Sequence, residues 1–276
     1  MENNQEVMTD QQKEDIRRAV NAIRKSNFTT AFTGAGISVE SGIPPFRGDG
    51  GLWTKYDPRL LDIDHFLHDP VKAWDIIKQI FYNYFGTAKP NKAHLVLAEM
   101  EQKGMLGRTI TQNIDNLHQE AGCRHVYDFH GNSKRLVCLS CHTCYPVSEI
   151  NLDHLPPTCR QCGGLLKPDF IFFGESIPKI PLTAAYEAAT ISDVFLVIGT
   201  SGEVMPANQV PLMAKENGVT IIEINPTPST YTDNITDIFL KGKATEIMER
   251  LGSALFAASL DDNKDGIDQD LEIHCK

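Results

Sequence analysis

Phe28-Thr-Thr-Ala-Phe-Thr-Gly-Ala-Gly36 is the stretch on which the fold turns. Its β-branched and aromatic residues up to Thr33 read as a buried strand, and the glycines that follow open a tight turn. A strand, a glycine-rich turn and a helix start make a cradle for anions: backbone N–H groups face outward and no side chain blocks approach. Alone, the turn decides little. The dinucleotide fingerprint G-x-G-x-x-G is not met, because Val39 occupies the third glycine position.

The same pattern recurs along the chain. Thr109-Ile-Thr111 leads into Gln112-Asn-Ile-Asp115, and Val126-Tyr-Asp-Phe129 into His130-Gly131. Asp193-Val-Phe-Leu-Val-Ile198 leads into Gly199-Thr-Ser-Gly202, and Val219-Thr-Ile-Ile-Glu-Ile224 into Asn225-Pro226. Helical stretches such as 182–190 and 210–217 lie between, and Thr9-Asp-Gln-Gln12 reads as a capping box before an amphipathic helix. Near-continuous apolar strands alternating with helices predict an α/β fold, a Rossmann-like parallel sheet with helices on both faces. Polar residues and glycines gather at the carboxyl ends of these strands, where open α/β sheets bind ligands.

Two stretches do not fit the sheet: 44–90, helical and rich in aromatic residues, and 134–167, which holds most of the cysteines. They are expected to pack together as a smaller inserted helical and zinc-ribbon domain, with Trp74 and Phe81 in its core. The Rossmann-like domain is then assembled from 1–43, 91–133 and 168–256, and 257–276 is an acidic tail.

Among seven cysteines, Cys123 and Cys275 stand apart, while Cys138, Cys141, Cys144, Cys159 and Cys162 fall close together. Paired C-x-x-C knuckles without an export signal mean zinc more often than disulfides. Cys138, Cys141, Cys159 and Cys162 would complete a closed, structural four-sulfur shell. Cys141-His-Thr-Cys144 is an alternative first knuckle that spacing alone does not exclude.

Composition narrows the function. With 26 Lys plus Arg against 36 Asp plus Glu, the net charge of −10 argues against direct nucleic-acid binding. The longest apolar run, Val194–Ile198, is far short of a membrane span, and the polar first residues resemble no secretory or transit signal. A cytoplasmic location without a membrane partner is the expectation. In the tail, Asp261, Asn263, Asp265, Gly266 and Glu272 match the spacing of a calcium loop, but too few residues follow for an exiting helix. A flexible acidic tail is the simpler reading.

Thr33-Gly-Ala-Gly-Ile-Ser38, Glu40-Ser-Gly-Ile-Pro44 with Phe46-Arg47-Gly48, Thr111-Gln-Asn-Ile-Asp115, His130-Gly131, the cysteine framework, Phe172-Phe-Gly-Glu175, Gly199-Thr-Ser201 and Ile224-Asn225 occur in one order along the chain. Together they resemble the sirtuins, NAD-dependent protein-lysine deacylases, and the compact chain is similar to bacterial members. The resemblance implies an NAD co-substrate on Gly34, Ala35 and Gly36, with Phe46 and Arg47 in the cofactor loop. Gln112, Asn113, Ile114 and Asp115 would hold the nicotinamide and its ribose, and Gly199, Thr200, Ser201, Asn225 and Ala244 the adenosine side.

It further implies that the acyl-lysine oxygen attacks the ribose carbon bearing nicotinamide. His130 would be the general base, with Asn113 and Asp115 completing the catalytic set. The acetylated-lysine peptide would pair as a strand through Ile171, Phe173, Gly174 and Val204. Members that remove acidic acyl groups carry a Tyr-x-x-Arg pair; here Phe85 stands three residues after Tyr82 in place of the arginine, which favours acetyl. Mono-ADP-ribosyl transfer or NAD hydrolysis in the same pocket, and a non-catalytic NAD-binding module, are the alternative functions. The sequence leaves oligomeric state and substrate proteins open.

Overall fold

A computed structural model describes residues 8–46, 50–84 and 88–257. Among the described residues, nine strands run in chain order: β1 (Thr29–Thr33), β2 (Arg108–Thr111), β3 (Val126–Asp128), β4 (Gly131–Cys138), β5 (Cys144–Pro146), β6 (Leu166–Phe170), β7 (Val194–Ile198), β8 (Thr220–Asn225) and β9 (Ile238–Lys241). The helices are α1 (Asp10–Lys25), α2 (Ile63–His68), α3 (Pro70–Ile77), α4 (Lys92–Gln102), α5 (Leu117–Glu120), α6 (Lys179–Ile191), α7 (Gln209–Glu216) and α8 (Ala244–Ala257).

Six strands form one parallel sheet in the order β3-β2-β1-β7-β8-β9. The chain builds outward from β1 in one direction, then crosses back to β7 and builds outward in the other. This reversal of strand order leaves a crevice at the carboxyl ends of β1 and β7, where the flanking connections diverge to opposite faces. The expected α/β architecture and its strands are present. The edge strand β9 and the helices α4 and α8 are additions that the sequence pattern alone did not supply.

Alternate residues of each central strand enter opposite cores. Val194, Leu196 and Ile198 face the layer of α1, α4 and α8, whereas Phe195 and Val197 face α6 and α7. Both faces are therefore dry, which explains why β7 is apolar throughout. Alanines 184, 185, 188 and 189 let α6 approach the second face closely. At the start of α1, the Thr9 hydroxyl accepts from the Gln12 N–H at 3.2 Å, and Gln12 Oε1 accepts from the Thr9 N–H at 2.9 Å, closing the capping box read from sequence.

A separate antiparallel sheet, β5-β4-β6, carries the cysteines. It shares a third core with the aromatic segment: Trp74, Phe81, Phe66, Leu136, Phe170 and Phe172 are all buried together. Trp74 Nε1 donates to the Leu166 carbonyl at 2.9 Å, so the indole bridges α3 to β6 as well as filling volume. The two inserted stretches thus have one hydrophobic core, in the core positions expected for Trp74 and Phe81.

Candidate active site

The crevice is closed at its floor by two loops that touch backbone to backbone. The Gly36 N–H donates to the Gly199 carbonyl at 2.8 Å, and the Gly34 N–H donates to the Ile198 carbonyl at 2.9 Å. A Cβ on Gly36 would stand 2.6 Å from Gly199 Cα, and Gly199 itself has φ +64°. Only glycines permit this approach. These two N–H groups are spent between the loops, so Gly34 and Gly36 serve by leaving room.

Above the floor lies a cavity of about 630 Å³. Gly34, Ala35, Gly36, Phe46, Gln112, Asn113, Ile114, His130, Gly199, Thr200, Ser201, Asn225 and Ala244 all line it, as do Ile171, Phe173, Gly174 and Val204. These are residues picked out from sequence, drawn from the ends of five sheet strands, β1, β2, β3, β7 and β8, and from the small domain. Asp115 lies just behind, lining a small recess shared with Ala35, Phe46, Asn113 and Ile114. Arg47, Phe85 and the segment from Asp261 to Glu272 lie outside the described residues.

His130 follows β3 and precedes β4, which starts at Gly131. A Cβ at residue 131 would stand close upon the Asp169 carbonyl, and φ there is +75°, so the chain can turn after the histidine only with glycine. His130 Nδ1 lies 3.0 Å from the Gln112 carbonyl. A carbonyl can only accept, so Nδ1 carries the proton and the lone pair is on Nε2. Burial pushes the imidazole below its ordinary pKa, with the bond to Gln112 opposing. The ring is neutral near pH 7 and able to take a proton.

Asn113 Nδ2 donates to the Gly34 carbonyl at 3.2 Å and to Ser38 Oγ at 3.1 Å. Ser38 in turn donates to Asp115 Oδ2 at 2.7 Å, and the Leu117 N–H donates to Asp115 Oδ1 at 3.0 Å. Burial raises the Asp115 carboxyl above the usual range, these donors working against it. Behind Ser38 stand two buried histidines, His94 and His118, with ring centroids 4.9 Å apart. Burial lowers His94 to about 4 and His118 well below its ordinary value. Sequence reasoning quoted Ser38 within a motif but gave it no role, and it gave none to His94 or His118, which the fold alone brings behind it.

At the other end, Phe46, Trp53 and Phe173 form an aromatic wall, with centroid separations of 5.4 and 6.4 Å. The strand-like segment after β6 is held by Ile171 N–H to the His130 carbonyl and Phe173 N–H to the Leu61 carbonyl, both at 2.8 Å. His130 and this segment are therefore neighbours in one hydrogen-bonded unit.

The sulfur atoms of Cys138, Cys141, Cys159 and Cys162 all lie within 4.8 Å of one another. The Cys138–Cys162 and Cys141–Cys159 separations are 3.5 and 3.6 Å. A tetrahedron with Zn–S bonds of about 2.3 Å has edges of about 3.8 Å, so the cluster fits a structural zinc. Cys144 Sγ instead sits 3.8 Å from the His142 carbonyl on the surface and is not part of the cluster. The register left open by spacing is thereby resolved in favour of Cys138.

The Sir2 family model matches residues 34–206, a span running from the glycine turn through the cysteine framework to the second glycine loop. The chain belongs to the Sir2 family. A Sir2-family relative named NAD-dependent protein deacylase 2, from Pyrobaculum aerophilum, is 45% identical over 83% of this chain and 91% of its own. The NAD-dependent protein deacylase of Aeropyrum pernix is 44% identical over 88% of this chain and 98% of its own. Both are archaeal, so the likeness to bacterial members gains no support. Among solved Sir2 structures, a homologue bound to NAD is 41% identical, with a TM-score of 0.81 over 88% of this chain and 94% of that one. A Sir2 structure with deacetylated p53 peptide and 3′-O-acetyl-ADP-ribose is 33% identical, with a TM-score of 0.82 over 87% and 98%.

Proposed function

We propose that the chain is an NAD-dependent protein-lysine deacetylase that releases nicotinamide and O-acetyl-ADP-ribose. The observation that carries this reading is His130: its Nδ1–H is fixed on the Gln112 carbonyl and its basic Nε2 is left for the cavity. A ribose hydroxyl is a poor nucleophile near pH 7, and a neutral imidazole beside it supplies the missing base.

NAD fits the cavity, whose floor is two loops packed so closely that a Cβ on Gly34 or Gly36 would strike Gly199 or Thr200 and part them. When bound, it supplies an electrophilic ribose carbon and a nicotinamide leaving group. The loops after β1 and β7 would hold its pyrophosphate and adenosine, with Thr200, Ser201, Asn225 and Ala244 on the adenosine side. Asn113, fixed by Gly34 and Ser38, and Asp115 behind it would orient the nicotinamide end. Phe46 would exclude water from the reacting face.

An acetylated-lysine peptide would enter as a strand between Ile171, Phe173, Gly174 and Val204, through backbone pairing. Among the described residues, the one lysine or arginine lining the cavity is Lys243, beside Ala244 at the far end. Tyr82 is stacked on Trp74 in the small domain's core. No described cation faces the acyl end, which supports acetyl over succinyl substrates. A cytoplasmic location is proposed on the ground that four zinc-binding thiolates persist in a reducing compartment. Among the described residues, no helix is long and apolar enough to cross a membrane.

The test is nicotinamide release from NAD with an acetyl-lysine peptide, a succinyl-lysine peptide and no peptide. Release with the acetyl peptide alone, abolished in His130→Ala, is expected. Release without peptide would replace this reading with NAD hydrolysis or ADP-ribosyl transfer.

A further inference from the structure

Lys167 is 3% exposed in β6, a rare place for a lysine. All three donors of its ammonium group are used: on the Pro168 carbonyl at 2.9 Å, the Phe170 carbonyl at 2.6 Å and Glu175 Oε2 at 3.0 Å. The same Glu175 oxygen accepts the Phe172 N–H at 2.7 Å. Phe172 lies over the ammonium, its ring centroid 4.3 Å from Nζ. The pair thus closes a ring of contacts around residues 170–175.

Two adjacent phenylalanines occupy this ring and play opposite parts. Phe172 is 1% exposed and packs edge-on against Phe66, whereas Phe173 is 41% exposed and lines the cavity beside Trp53. In an extended segment, a slip of one residue exchanges the two faces. A slip that carried Phe173 into the site of Phe172 would leave Gly174 on the cavity, yet the buried site would still hold a phenylalanine, so its filling does not choose between the registers. Lys167 and Glu175 do choose. They fix the Phe170 carbonyl and the Phe172 N–H, and a slip would leave a buried ammonium and a carboxylate without these partners.

Resting on the deacetylase reading, we propose that the Lys167–Glu175 pair is a positioning device for the acyl-lysine peptide. It selects the register in which Phe173 and the backbone of residues 171–174 face the substrate. Lys167 and Glu175 act through this segment and take no part in the chemistry. An apolar pair could fill the same volume, and a structural role alone would not need these charges.

The experiment is steady-state kinetics on Lys167→Met/Glu175→Gln, with KM measured separately for acetyl-lysine peptide and for NAD. The double variant leaves no unpaired buried charge, and the carboxamide oxygen introduced at position 175 can still accept the Phe172 N–H. Folding is thereby protected, where Lys167→Met alone would strand a carboxylate. The KM for peptide is expected to rise about tenfold or more while the KM for NAD stays within about twofold. Titration of the peptide against the variant loaded with ADP-ribose should show the same loss of affinity. A peptide KM within about twofold of wild type, or equal rises in both KM values, overturns the proposal. A wild-type chain without peptide-dependent turnover overturns the underlying deacetylase reading instead, and the substrate assigned to this segment with it.

Discussion

Alanine in place of Gly36 tests whether the crevice depends on two backbones in contact. The φ of Gly36 lies outside the left-handed region, so alanine adopts the backbone without strain and only the new methyl group matters. That methyl would stand 2.6 Å from Gly199 Cα and 2.8 Å from the Gly199 oxygen. Carbon atoms in contact prefer about 3.5–4.0 Å, so the loops after β1 and β7 must part by about 1 Å. Neither neighbour is a flexible side chain, and neither can step aside. Overpacking of this kind costs about 1–3 kcal/mol. For a chain of this size each kcal/mol lowers Tm by about 2–4 °C, giving a fall of about 2–12 °C. A displacement of about 1 Å beneath the reacting groups costs about a hundredfold in rate. Thermal unfolding, NAD titration calorimetry and peptide-dependent nicotinamide release measure the three effects. A variant with unchanged Tm and wild-type affinity for NAD would refute the argument, because the loops would then be separable without consequence.

Removal of the His130 ring should lower turnover about 10²- to 10⁴-fold while NAD affinity holds, which equilibrium titration of His130→Ala would show. Cys144→Ser should retain one zinc per chain by elemental analysis, whereas Cys159→Ser should lose the metal and destabilise the small domain. His94, neutral when folded with a pKa of about 4, contributes stability that is full above its unfolded value of about 6.5 and is lost as pH falls toward 4. Over that window the loss is about 3 kcal/mol. The raised carboxyls of Asp115 and Asp128 act in the opposite sense, so the clean readout is the difference in urea midpoint between wild type and His94→Gln across pH 4.5–7.5.

Much of the parallel sheet was legible because β1, β7 and β8 are buried on both faces and rich in β-branched and aromatic residues, β7 being apolar throughout. Strand β9 was not, since Ile238-Phe-Leu-Lys241 is short, lies at the edge and alternates exposure. Helix α4 escaped because it is buried around most of its circumference, with no apolar stripe to find. At the site, motif order brought forward the cavity residues at the strand ends but not Trp53, Leu61, Met205, Thr227 or Pro228, which line it from segments without a motif. What sequence did not convey was depth: Asp115 stands behind the main cavity, and Ser38 connects it to Asn113. Spacing tolerated Cys144 as readily as Cys138, and only the turn geometry separates them. Lys167 was invisible for a related reason, since nothing in a sequence marks a lysine as buried.

The contact between Gly36 and Gly199 joins positions far apart along the polypeptide, with β2, β3 and the entire small domain between them. During synthesis, the first half of the crevice leaves the ribosome as an unfinished wall. Its counterpart is added only after the zinc segment has been made, and long-range closures of this kind are slow. Chains truncated before β7 would therefore carry the glycine turn and every cysteine of the metal cluster, yet have no floor on which a dinucleotide could rest. Acquisition of the cofactor is thus a late event in the life of each molecule, a checkpoint reached only by chains that have already built most of their structure.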